Sequence, residues 1–385
     1  MTQAVDRSHG WRIGRLRGVP IYLGWSWALI AVVIVAVFGP QLQREGFSAT
    51  SATFIAAAYA VLLLVSVLVH EAGHTIAAQA SGQRVDRIVA TLMGGHTVFA
   101  GGQLRPRSAA LIAAAGPLGN LALAAVGWGA QRLIEPAARS MPELWVLAGA
   151  FVVANLFVAI FNLLPGLPLD GGHILAAGVW GATGRRSTGL LAAGWVGRLL
   201  AVVVVAWMVV RPLLAGERPD LFSIGWVALI GAFLWQGATQ SIGSARAQSA
   251  VARVPLASVL RPVVVVPGHV SAETLVRGLM EQRGAEWAVA LDPVGRPMGF
   301  LDLQAVASVP AEQRPQVPVT SFLLAPSPGW VVVGLPDGDI TPIVQALAGH
   351  LEGEQVKHAV LVVDPAGRAV GTVSLDDVEH ALQDG

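Results

Sequence analysis

The chain has 385 residues, 54% of them hydrophobic and only 13% charged, with a mean hydropathy of +0.62. Soluble domains carry about 25% charged residues, so much of this chain is expected to live in lipid. A formal net charge of +1 gives no field that would gather nucleic acid. The absence of cysteine excludes disulfides, thiolate nucleophiles, Fe–S clusters and Cys-held zinc, so any metal must be held by His, carboxylate or carbonyl oxygen.

The first apolar run, Leu23 to Phe38, follows Arg12, Arg15 and Arg17. No small-residue cleavage pattern comes after it and Gly39-Pro40 closes it, so it reads as an uncleaved anchor. Windows of about 20 apolar residues, the length that crosses roughly 30 Å of hydrocarbon, predict six spans near 23–38, 53–80, 109–130, 145–165, 191–213 and 222–240. Arginine is dense in one set of connections (Arg12, Arg15, Arg17, Arg84, Arg87, Arg105, Arg107, Arg185, Arg186) and sparse in the other (Arg44, Arg132, Arg139, Arg211, Arg218). Positive residues are retained inside, so both termini are expected in the cytoplasm of a multi-pass cell-membrane protein. Trp25, Trp27, Trp128, Trp207 and Trp226 read as interfacial anchors, and Arg198 as a side chain that snorkels.

Inside the second span stands His70-Glu71-Ala72-Gly73-His74. At 3.6 residues per turn the two imidazoles project from one face about 6 Å apart, within reach of one metal ion. Glu71 falls about 100° round the helix, beside the metal, where it can take a proton from water held there. An inert reading is disfavoured by depth, since a charged residue at the centre of a span costs about 3 kcal/mol on insertion scales. A third ligand is sought in Asn162-Leu-Leu-Pro-Gly-Leu-Pro-Leu-Asp170-Gly-Gly, whose prolines and glycines break the helix at the end of the fourth span. Irregular backbone at such depth is tolerated only where protein buries it or a wet cavity needs it. The second and fourth spans run in the same direction, so His70, His74 and Asp170 are expected at one level.

From about Val254 the composition turns soluble: Asp, Glu and Pro become frequent and apolar runs shorten. Asp292-Pro-Val-Gly-Arg-Pro-Met-Gly299 recurs 72 residues on as Asp364-Pro-Ala-Gly-Arg-Ala-Val-Gly371, each after a short apolar run. Two α/β copies packed as one module are predicted.

Together, His-Glu-x-x-His in one span, Asn-x-x-Pro-x-x-x-Leu-Asp-Gly in another and Ala115-Gly-Pro-Leu-Gly-Asn120 in a third resemble the site-2 protease family of intramembrane zinc metalloproteases, over most of residues 11–240. The tail resembles a tandem cystathionine-β-synthase (CBS) pair, as in the branch of sporulation pro-sigma-factor proteases. The expected organisation is a polytopic α-helical protease domain at 1–240, a linker at 241–253 and a soluble α/β CBS module at 254–383, with copies at 254–309 and 315–383.

By resemblance His70, His74 and Asp170 hold Zn2+, Glu71 is the base, and Asn162 contacts substrate or the oxyanion. The Gly-flanked strand around His96 then belongs to a hairpin whose edge receives an extended substrate, His96 being a polar hairpin residue on the substrate side. The partners implied are a transmembrane protein substrate, such as an anti-sigma factor or a membrane-tethered transcription regulator, the surrounding lipid, and a second copy joined through the CBS modules. Ser374 and Asp377 match the CBS ribose motif, whereas the first copy has Asp302 and Ala305 there. One adenine-nucleotide site, with ATP the natural candidate, is therefore expected rather than two, with a purely structural pair as its alternative. The rival reading of the whole chain is a CBS-regulated ion transporter using the His/Asp cluster as an ion site. His173 is either close behind the ligands or a solvent-facing loop residue.

Overall fold

The computed structural model describes residues 10–91, 94–99, 104–138, 140–216, 221–281, 285–325, 329–335, 338, 340–350 and 359–383, with the backbone alone at 91, 94–99, 222, 348–350 and 383. The chain divides into two units, Met1–Ala245 and Arg246–Gly385.

The first unit opens with strands β1 (Trp11–Leu16) and β2 (Val19–Leu23), followed by helices α1 (Ser26–Arg44) and α2 (Ala49–Ala80). Strands β3 (Val85–Thr91) and β4 (Gly94–Phe99) come next, then α3 (Pro106–Ile134), α4 (Pro142–Asn162), α5 (Asp170–Thr183), α6 (Arg186–Leu214) and α7 (Leu221–Val251). The sequence sets the helix boundaries locally. Ser48 caps α2 by accepting from the Ser51 amide at 3.1 Å, and α3 and α4 each carry proline in the first turn, where the missing N–H costs nothing. Gly184 ends α5 at φ 72°, a left-handed conformation that glycine adopts without strain.

Among the described residues five helices are long and apolar enough to cross a membrane: α1, α2, α3, α4 and α6. They match the first five expected spans, and the sixth falls on α7. That helix runs on to Val251, so the stretch expected as a linker is mostly helical, and the boundary between the units lies within it.

Helix contacts in this unit are made largely by small residues. Ala52, Ala56, Ala60, Ala113, Gly116, Ala124, Ala159, Ala193, Gly197 and Ala201 are buried, while Leu29, Val32, Leu111, Leu118, Val126, Val153 and Trp207 are exposed. Lipid solvates leucine as well as protein does, so bundles in lipid are held by close backbone approach rather than by burial of large aliphatics. Trp27 is buried within the bundle. The Arg198 guanidinium lies 4.8 and 5.1 Å from the ring centres of Trp195 and Trp235 and donates to Thr239 Oγ1 at 3.2 Å, so aromatic faces and a hydroxyl hold its charge in place.

A four-stranded sheet, in the order β1-β2-β3-β4, was not foreseen beyond β4. β2 pairs in parallel with β3, Ile21 opposite Ile88, and β4 pairs antiparallel with β3, His96 opposite Val89. β4 is thus a terminal strand of the sheet.

The second unit holds α8 (Leu256–Val259), β5 (Val263–Pro267), α9 (Ala272–Glu281), β6 (Trp287–Leu291), β7 (Pro297–Phe300), α10 (Leu303–Ser308), β8 (Val331–Val333), α11 (Thr341–His350), β9 (Ala359–Val363), β10 (Ala369–Ser374) and α12 (Leu375–Gln383). Its two halves repeat one topology: a first strand parallel to a second, which is antiparallel to a third.

The repeated Asp-Pro-x-Gly-Arg turn is built twice by the same bonds. Asp292 Oδ1 accepts from the amides of Val294 and Arg296, as Asp364 Oδ1 does from Ala366 and Arg368, all at 2.8–2.9 Å. Gly295 and Gly367 take φ of 88° and 81°. The halves also exchange edges: Arg261, ahead of β5, bonds both ways with Thr372 of β10, while Leu324, ahead of β8, donates to Phe300 of β7. Each half has its own aliphatic core, around Leu275 and Leu347 respectively, and a third cluster, including Val289, Phe300 and Leu361, joins them.

Candidate metal centre

Helix α2 carries His70 and His74 one turn apart, their rings edge to face with centroids 4.7 Å apart. Such a site needs α3 very close, and two glycines allow it. A Cβ on Gly73 would stand 2.5 Å from the Ala115 carbonyl oxygen. A Cβ on Gly116 would stand 2.7 Å from His70 Nε2 and closer still to His74 Nε2.

The helix-broken segment brings in the carboxylate. Helix α4 stops at Asn162, the chain turns through Pro165 and Pro168, and α5 starts at Asp170 behind an extended Leu169. Asp170-Gly171-Gly172 is therefore the first turn of a helix rather than a loop turn, because Leu169 already has the backbone conformation of an N-cap. Gly171 and Gly172 let this turn nest in the preceding loop: a Cβ on either would overlap the backbone of residues 163–167. On the far side Gly197 of α6 and Gly237 of α7 accommodate Leu167 and Pro168 in the same way.

Two imidazole nitrogens and one carboxylate converge as a result. His70 Nε2 and His74 Nε2 are 3.1 Å apart, Asp170 Oδ2 lies 3.2 Å from the first and Asp170 Oδ1 3.5 Å from the second. Donors held 2.0–2.1 Å from a tetrahedral centre stand about 3.3 Å apart, so the spacing suits zinc. Tautomers agree. His74 Nδ1 is 2.7 Å from the Ile112 carbonyl oxygen, which only accepts, so Nδ1 carries a proton and in the neutral ring Nε2 presents the lone pair. His70 Nδ1 meets Asn120 Oδ1 at 2.6 Å with the same consequence. Two lone pairs and a carboxylate facing one another repel unless a metal cation or a proton sits among them. Asp170 Oδ2 is buried with no hydrogen-bond partner among the described residues, as a ligand atom would be. The residues present therefore fit a zinc ion.

Glu71 is buried, 4% exposed, and its carboxylate lies within 4.8 Å of the donor nitrogens of both histidines. All four side chains open on a cavity of about 750 Å³, also lined by Val67, Phe161, Asn162, His173, Trp180 and Arg186. Asn162 reaches the cavity wall with its amide nitrogen donating to Val158 O at 3.0 Å. His173 is on α5 one turn beyond Asp170 and faces this cavity rather than sitting in a loop. The His96 side chain lies outside the described residues.

The second sequence-predicted site looks different. Ser374 Oγ accepts from the Asp377 amide at 3.2 Å and donates to Asp377 Oδ2 at 2.6 Å, while the Ser374 amide donates to the same oxygen at 3.0 Å. This reciprocal arrangement is a capping box at the start of α12. Asp377 Oδ1 is taken by Arg261 Nε at 2.7 Å.

In the sequence Asn120 stands out only as part of a motif, and neither the Ile112 carbonyl nor the roles of Gly73 and Gly116 are visible there. The glycines were the available signal, since two in apolar helices of one site mark close backbone approach.

A helical membrane unit with a His/His/carboxylate centre and a buried glutamate beside it is the architecture of a membrane-embedded zinc hydrolase. The model of peptidase family M50 matches residues 58–137 and 131–207. The chain is 28% identical over 379 residues to sll0528 of Synechocystis sp., whose name assigns it provisionally to the zinc metalloproteases; this covers 97% of the chain and 95% of the relative. Rip3 of Mycobacterium tuberculosis, likewise named, is 29% identical over 316 residues, covering 81% and 79%. The solved site-2 protease of Methanocaldococcus jannaschii aligns at 24% identity with a TM-score of 0.41, covering 60% of this chain and 94% of that one. The family M50 match falls on residues 58–207, within the membrane unit, and together with the zinc metalloprotease relatives it marks the chain as a multi-pass membrane zinc metalloprotease of the site-2 type. The transporter alternative does not fit that family.

Proposed function

We propose that the protein cleaves a transmembrane segment of a regulatory membrane protein, of the kind represented by an anti-sigma factor or a membrane-tethered transcription regulator. The observation that carries this reading is the convergence of His70, His74 and Asp170 within 3.1–3.5 Å of one another in a cavity that also holds Glu71, inside a bundle of lipid-length helices.

In this reading His70, His74 and Asp170 hold the zinc, which when bound polarises the scissile carbonyl and makes water acidic enough to react near neutral pH. Glu71 takes the proton of the attacking water and passes it to the leaving amine. Asn162 contacts the substrate from the cavity wall. A helical substrate hides its carbonyls in hydrogen bonds, so the segment must unwind first. The outer edge of β4 would receive it as an added strand, with His96 on the substrate side.

The tail is read as a CBS pair that modulates cleavage, with both termini in the cytoplasm and dimerisation through the module. An adenine nucleotide at Ser374 and Asp377 would compete with Arg261 for the carboxylate. It can shift the module only by binding its two arrangements with different affinity.

The test compares membrane-proteome fragments from cells carrying wild-type and Glu71→Gln protein. Transmembrane-segment fragments present only with the wild type are expected. Identical fragment sets would overturn the reading.

A further inference from the structure

A chain of two buried amides leads away from His70. Asn120 on α3 and Asn155 on α4 are both 0% exposed. Asn155 Nδ2 donates to the Phe151 carbonyl one turn back at 2.9 Å, which fixes which end of its amide points where. Its Oδ1 therefore faces α3 and accepts from Asn120 Nδ2 at 2.9 Å. Asn120 Nδ2 also reaches the Ser66 carbonyl of α2, at a longer 3.4 Å. With both N–H groups engaged, Asn120 can present only oxygen to His70 Nδ1, at 2.6 Å.

We propose that Asn155 is a positioning residue for the zinc site, setting through Asn120 the tautomer of a histidine it does not touch. The proposal rests on the zinc reading above. Were the Asn120 amide turned over, its NH2 would face His70, whose Nδ1 would have to accept. The ring proton would then move to Nε2, and that nitrogen could no longer bind a metal. Removing Asn155 leaves only the long bond to Ser66 to oppose this rotation. His74 needs no such lock, because its Nδ1 faces a backbone carbonyl that cannot turn over. The relay spans α2, α3 and α4, so helix packing and ligand orientation are set by the same bonds.

A residue that merely glued helices together would cost equal stability with and without metal. A tautomer lock costs zinc affinity. The experiment uses the full chain in detergent, with zinc affinity read by competition with a chromophoric chelator and melting followed with and without zinc. Asn155→Ala and the better-filling Asn155→Leu are both made, and either that melts cooperatively without metal is read.

Each is expected to weaken zinc binding about 10- to 100-fold and to shrink the zinc-induced rise in Tm. In an Asn120→Asp background the same Asn155 change should cost almost nothing, because a carboxylate presents oxygen to His70 either way round. Zinc affinity unchanged by loss of Asn155, or an equal loss in the Asn120→Asp background, would overturn the proposal. Asp170→Ala, measured alongside, separates this from the zinc reading: if it too keeps wild-type affinity, the ligand set itself is wrong.

Discussion

The membrane unit and the tail are packed on opposite rules. Buried positions of the first are mostly alanine and glycine, with polar Ser66, Glu71, His74, Asn120 and Asn155 among them; those of the second are mostly Leu, Ile and Val. Water drives large aliphatics inward in the tail, each worth about 1.5–3 kcal/mol when fully buried. In lipid that force is absent, and the interior is free for small residues and for polar groups that satisfy one another. A site holding two imidazoles and two carboxylates at depth therefore fits the first unit at little cost to packing. Among the described residues of the tail, Thr372 is the one polar side chain in the buried interior.

The comparison can be broken most sharply at Gly116. Gly116→Val places carbon where the two Nε2 lone pairs point, so zinc content and hydrolysis should both fall to background. Metal analysis of the purified variant decides it, and a loaded Gly116→Val protein would refute the close-approach account.

A crossed pair of substitutions comes next. Leu347→Ala, at a site 1% exposed in the tail, should cost about 2–5 kcal/mol of that unit's stability. Ala159→Leu, at 0% exposure in the bundle, should cost about 1–3 kcal/mol by overpacking, while lipid-facing Leu118→Ala should be nearly silent. Melting of the three variants, with zinc content as the second readout, tests the contrast. Equal sensitivity of Leu118 and Leu347 to truncation would erase it.

The smallest effect is expected at Asp377. Asp377→Ala removes the capping box and should cost about 0.3–1.5 kcal/mol of tail stability. Burial raises the proton affinity of this carboxyl, but the Ser374 hydroxyl and amide and the Arg261 guanidinium outweigh it and hold the group below its ordinary value of 3.8. A depressed folded pKa means stabilisation that is fully present above about 3.8 and lost as pH falls through the lower folded value. Acid melting of the wild type should show that loss and Asp377→Ala a smaller one, what remains coming from Asp364, whose carboxyl the Arg368 amide also holds low. Titration with ATP on the same samples tests the nucleotide reading: affinity unchanged by the substitution would remove the proposed site.

How much of this was legible in the sequence follows the reach of each signal. His70, Glu71 and His74 were readable because helical period alone puts them together, and the repeat in the tail because its turn is written out twice. Asp170 was readable as a break in an apolar run, yet α5 was not: 14 residues are too few to span, and three of the first residues look like a turn. β1 and β2 were missed because β2 pairs with β3 more than 60 residues away, Ile21 against Ile88, and nothing local announces that partner. Asn155 is a single amide in an apolar span and carries no spacing pattern; its depth was its only mark.

The central claim is that three side chains hold the zinc and a fourth performs the proton transfer without holding it. It is tested most directly by zinc content and hydrolysis measured together on purified Glu71→Gln and Asp170→Ala proteins. The account predicts that Glu71→Gln keeps its zinc and cleaves nothing, because the amide preserves shape but cannot take a proton, while Asp170→Ala loses the metal. A Glu71→Gln protein that still cleaves, or an Asp170→Ala protein that retains zinc as the wild type does, would contradict it.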